Sequence, residues 1–156
     1  MSTPCHRPHV MIVEARYYDE IGEELLRGAV AALGQAGATY ERHQVPGAFE
    51  IPAAIRYAVL AREQGGEAGR FDGFLALGCV IRGETSHYDY VCNESARGLQ
   101  DLACRYGLAV GYGILTCENR DQAWARAARD GKNKGGEAAR ACLRMIALKQ
   151  HFGLAT

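Results

Sequence analysis

Four short strand-like runs, each followed by a segment with helical spacing, constrain the fold of this chain more than any other feature. The first is Val10-Met11-Ile12-Val13. Behind it Ile21, Leu25, Leu26, Ala29, Val30 and Leu33 recur three or four apart, which predicts a helix from Asp19 to about Leu33. Thr39 to Val45 alternates loosely and ends at Pro46-Gly47, a strand and then a turn. Ile55, Val59 and Leu60 predict the next helix, from about Ile51 to Glu63, with Pro52 acceptable only in its first turn. Phe71 to Ile81 holds a third strand, and Val91, Ser95, Leu99, Leu102, Ala103 and Tyr106 mark a helix behind Ser86. Ser86 and Asp89 have the spacing of a capping box. Leu108 to Thr116 is the fourth strand. A short helix from Asp121 to about Arg129 follows, then a glycine-broken interruption through Gly136, then a last helix from Glu137 to about Gln150. Strands separated by helices run parallel through right-handed crossovers. The expectation is a three-layer α/β/α sandwich around a four-stranded parallel sheet, with ligands bound beyond the carboxyl ends of its strands.

A chain of 156 residues suits one core. Residues 1–8 read as a flexible lead-in and residues 9–156 as a single domain. Lysine plus arginine and aspartate plus glutamate both number 18. That balance supplies no electrostatic reason for a nucleic-acid or anionic-membrane partner, and offers little repulsion against self-association. There is no run of 18 apolar residues and no apolar signal core. The cysteines at 5, 79, 92, 104, 117 and 142 show no C-x-x-C spacing. They read as reduced thiols of a cytoplasmic protein, without a metal site.

The candidate chemistry gathers behind the third strand, in Gly78-Cys79-Val80-Ile81-Arg82-Gly83-Glu84-Thr85-Ser86-His87-Tyr88-Asp89. A strand–turn–helix junction leaves backbone N–H groups aimed outward, and the helix dipole favours an anion there. His87, in the first turn, can take a proton beside that anion. Together they suggest chemistry on a small phosphorylated substrate. Tyr17 and Phe49, at the ends of the first two strands, either cap the core or form a platform for a heterocycle. Glu50 is either a dipole-matched helix-start acid or an acceptor for ligand hydroxyls. Arg126 and Lys134 flank the glycine-broken turn, as a solvated helix end or as phosphate contacts. No P-loop, dinucleotide fingerprint or nucleophile elbow is present.

From about Val10 to Phe152 the chain resembles the lumazine synthase family. The resemblance rests on Val45 to Pro52, Gly78 to Asp89, Gly113 to Asn119 and Asn133 to Ala138, in the family's order and spacing. It implies a flavodoxin-like fold and an enzyme of riboflavin biosynthesis. The substrates would be 5-amino-6-(D-ribitylamino)uracil and 3,4-dihydroxy-2-butanone 4-phosphate, joined without metal or organic cofactor to 6,7-dimethyl-8-ribityllumazine. By the same resemblance Tyr17 stacks on the pyrimidine, Ala48, Phe49 and Glu50 hold the ribityl chain, and Cys79, Val80 and Ile81 lie along the ring. Glu84 and Thr85 receive the phosphate, His87 transfers protons, and Arg126 binds phosphate. Tyr112, Arg126 and Lys134 would come from an adjacent subunit of a homopentamer. Tyr17, Tyr18 and Tyr112 depart from the family's commonest residues, and the Arg129-Asp130-Gly131-Lys132 turn differs from that of shell-forming members. The expected assembly is therefore a pentamer.

Overall fold

A computed structural model describes residues 6–154; Cys5 and most of the expected lead-in lie outside the described residues. One parallel sheet holds strands β1 (His9–Ala15), β2 (Thr39–Val45), β3 (Gly73–Ile81) and β4 (Val110–Cys117), in the order β2-β1-β3-β4. Five helices connect or follow them: α1 (Asp19–Gln35), α2 (Ile51–Glu63), α3 (His87–Tyr106), α4 (Arg120–Ala127) and α5 (Lys134–His151). Among the described residues no helix is long and apolar enough to cross a membrane.

Alternation along the inner strands sends side chains to the two faces of the sheet, which hold the two larger of three apolar clusters among the described residues. Val10, Ile12, Leu75 and Leu77 pack with Leu26, Ala29, Leu33, Ala139, Cys142 and Ile146 of α1 and α5. Met11, Val13, Ala15, Phe74 and Ala76 pack with Ile51, Ile55, Leu99 and Leu102 of α2 and α3. Both faces of β1 and β3 are covered, which explains their continuous apolar runs. β2 is an edge strand with Glu41, Arg42 and His43 exposed, and such charges discourage pairing with a stray strand.

Two expectations need correcting. α5 begins at Lys134, three residues before the expected start, so Gly135 and Gly136 lie inside the helix. Asn133, in the left-handed region at φ 46°, caps it by accepting a hydrogen bond from Gly136 N at 3.3 Å. Gly135 is there for space: a Cβ would stand 2.0 Å from the Leu25 carbonyl oxygen of α1. Gly111 does the same for β4 against α5, where a Cβ would stand 2.3 Å from Ala138 O. The capping box of α3 does not form either. Ser86 is already helical and makes no side-chain cap bond, while Asp89 turns to Arg82.

Glu14, on β1, is the one acid among the largest fully buried side chains, at 2% exposure. Its Oε2 accepts from Arg42 Nε at 2.9 Å, and Arg16 Nε stands 2.9 Å from its Oε1. The second contact is an ion pair without hydrogen-bond alignment. Arg16 also pairs with Glu23 of α1, so the chain of charges ties the end of β1 to that helix. Glu14→Ala would leave Arg16 partly buried without its inner partner. The expected loss is about 2–3 kcal/mol, below the ~3–5 typical of a wholly buried pair, because Arg42 and Glu23 are well hydrated. Urea unfolding of the variant measures it.

Candidate active site

In an open parallel sheet the crevice lies where successive connections leave in opposite directions. Here that place is between β1 and β3, and the loops behind β1, β2 and β3 meet above it. They enclose a cleft of about 590 Å³ lined by Tyr17 and Tyr18, by Gly47 to Glu50, by Cys79 to Ile81, and by Gly83, Thr85 and His87. Tyr17 is 79% exposed and Phe49 57%, so two aromatic faces are open to a ligand. Tyr17 meets Tyr18 edge to face, at 4.9 Å between centroids. Burial and the neighbouring Cys117 push the Cys79 thiol up to about 12, so it stays protonated and serves as an apolar floor.

The turn between β3 and α3 is exposed from Arg82 to His87. Among the described residues no intrachain hydrogen bond occupies the amides of Gly83, Glu84 and Thr85. The amide of His87 donates to Thr85 Oγ1 at 3.3 Å. These free donors stand at the N-terminus of a 20-residue helix, a setting suited to an anion. Glu84 shares the turn but does not line the cleft.

The remaining sequence candidates lie elsewhere. Tyr112, Arg126 and Lys134 line a second cleft, of about 420 Å³, along the outer side of β4 beside α4 and α5. Asn119 caps α4 by accepting from Gln122 N, and Arg126, in that helix's last turn, donates to Gln122 O at 3.0 Å. Lys134 Nζ pairs with Glu137 at 2.8 Å. The two clefts have no lining residue in common.

Sequence reasoning did not single out several lining residues. Tyr88 and Val91 face the first cleft from the opening turns of α3. Their signal is helical position, one and four residues beyond His87. Glu137 and Thr116 of the second cleft lie within two of the motifs of the resemblance, which gave neither a role.

The sequence profile of the 6,7-dimethyl-8-ribityllumazine synthase family matches residues 7–150. The chain belongs to the lumazine synthase family. A lumazine synthase of Bartonella tribocorum is 57% identical over 147 residues, covering 94% of this chain and 93% of its own. A 6,7-dimethyl-8-ribityllumazine synthase 1 of Rhizobium meliloti is 59% identical over 145 residues, covering 93% and 94%. The Agrobacterium fabrum lumazine synthase is 56% identical over 147 residues, covering 94% and 98%. Such coverage includes both clefts and the four motifs of the resemblance, and it accords with the α/β/α fold expected of a lumazine synthase.

Proposed function

We propose that the working site of this lumazine synthase joins the first cleft of one subunit to the second cleft of its neighbour in a cytoplasmic homopentamer. The enzyme acts in riboflavin biosynthesis, condensing 5-amino-6-(D-ribitylamino)uracil with 3,4-dihydroxy-2-butanone 4-phosphate. The products are 6,7-dimethyl-8-ribityllumazine, phosphate and water. One observation carries the shared site: Arg126 and Lys134, the cations suited to the phosphate, open into a cleft that has no residue in common with the one holding His87.

The pyrimidine stacks on Tyr17 and lies along Cys79, Val80 and Ile81. Its ribityl hydroxyls reach Ala48, Phe49 and Glu50. The phosphate sits at the amides and hydroxyl of Glu84 and Thr85, with the neighbour's copy of Arg126 opposite. The amine of the pyrimidine attacks the ketone to form an imine with loss of water. His87 takes the proton whose removal allows phosphate to leave, and returns it as the ring closes with loss of a second water. Tyr112 and Lys134 of the neighbour close the site over the substrates. Holding two substrates together supplies most of the acceleration. Proton transfer adds about 10²–10⁴-fold.

Incubation of the purified protein with both substrates is expected to yield a fluorescent lumazine and free phosphate in equal amounts. A folded sample that releases neither refutes the reaction. Sedimentation is expected to give five times the chain mass; a monomer that turns over at the full rate refutes the shared site.

A further inference from the structure

We propose that Arg82 is the positioning residue of the anion-binding turn: it holds Gly83–Thr85 in place without itself touching substrate. The proposal rests on the phosphate being seated at that turn. Arg82 follows β3 directly, and its amide donates to Cys117 O of β4 at 2.9 Å. Its side chain then reaches two further places, the segment beyond β4 and the first turn of α3. Nε donates to Glu118 beyond β4 at 2.8 Å. Nη1 and Nη2 form a fork to the two oxygens of Asp89 in the first turn of α3, at 3.4 and 3.3 Å. The guanidinium lies over the Tyr88 ring, 4.3 Å from its centroid.

The turn has little else to hold it. A Cβ built on Gly83 would meet nothing within 4 Å, so no packed neighbour supports that position. Residues 83–87 are all exposed, which removes burial as a source of order. Arg82 thus links the two ends of the turn, β3 before it and α3 after it, and ties both to the end of β4. A planar fork fixes direction as well as distance, which a lysine ammonium cannot do.

Stability does not account for the cluster, because exposed ion pairs of this kind contribute little to folding. Phosphate attraction does not account for it either. Two carboxylates already surround the guanidinium, so the group carries a net negative charge. What remains is geometry: the fork keeps the turn's amides converged, and it holds the first turn of α3, with His87 and Tyr88, against the cleft.

The test is Arg82→Lys, with Asp89→Asn and Glu118→Gln made separately. For Arg82→Lys the apparent KM for the butanone phosphate is expected to rise about tenfold, and the inhibition constant of inorganic phosphate with it. The KM for the ribitylaminouracil stays within about twofold. The melting temperature moves by less than about 3 °C. Asp89→Asn shifts the phosphate constants in the same direction by a smaller factor. It carries the test together with Glu118→Gln if the arginine variant does not fold. Unchanged phosphate constants overturn the role, and so does an equal rise in both KM values with a matching fall in melting temperature. The wild-type protein in the same assay separates the two readings. Wild type that makes no lumazine overturns the reaction itself, whereas active wild type with an indifferent Arg82→Lys overturns only the positioning role.

Discussion

His87→Ala is expected to lower kcat by about 10²–10³-fold while changing the affinity for the ribitylaminouracil by less than about twofold. The imidazole is exposed, at the first position of α3, on the wall of the first cleft. Because the side chain is exposed, removing it leaves the packing of the core intact. The contacts proposed for the pyrimidine lie on the other loops, behind β1 and β2 and along β3. A proton shuttle is used after binding, so its loss falls on the chemical step. The lower part of the range for general acid–base catalysis applies because water reaches the cleft and can carry protons slowly. Steady-state rates and a fluorescence titration of the pyrimidine separate the two quantities. A loss of affinity as large as the loss of rate would make His87 a binding residue.

Mixing two impaired variants is expected to restore activity. Arg126→Ala removes the charge-assisted contact proposed for phosphate and should lower kcat/KM for the phosphate substrate by about 10–100-fold. Subunits carrying His87→Ala keep a sound second cleft, and those carrying Arg126→Ala keep a sound first cleft. When the two are unfolded together and reassembled in equal amounts, each closed ring contains interfaces of four kinds. About one quarter of them join two sound halves, because each interface is heterologous and assembly is random. Recovery toward a quarter of the wild-type rate supports the shared site. A mixture that shows only the mean of its two parents would mean that both clefts serve substrate within one chain.

Much of the fold was legible because burial imposes a period. α2 runs from Ile51 to Glu63 as the spacing of Ile55, Val59 and Leu60 requires. The inner strands β1 and β3 follow the apolar runs because they are covered on both faces. What spacing cannot show is strand order. Glu41, Arg42 and His43 suit an edge strand, but only the finished sheet shows that β2 pairs with β1 alone. Glycine was ambiguous for a different reason. Gly135 and Gly136 look like a break in local terms; Gly135 makes room for a contact with α1 that is remote in sequence, and Gly136 for the side chain of the cap residue Asn133.

The site divides along the same line. Tyr17, Ala48, Phe49, Glu50, Cys79, Val80, Ile81, Thr85 and His87 share one cleft because parallel topology brings the strand ends to one rim. Tyr112, Arg126 and Lys134 do not join them, since β4 lies on the far side of β3. Motif order places residues along the chain and carries no information about which rim they face. Arg82 stood inside the most informative motif, and its partners Asp89 and Glu118 were visible only in three dimensions.

The seat of α5 rests on atoms that are missing. A methyl group on Gly135 would strike α1, one on Gly111 would strike α5, and one on Gly28 would come within 2.2 Å of the Asn133 side chain. Those three voids set how far the helix can sink, and Lys134 at its start rides on that depth. The lysine's reach into solvent is therefore decided by positions that never meet a ligand. A search for activity-altering changes confined to the rims of the clefts would miss the sites where one added carbon tilts a whole rod.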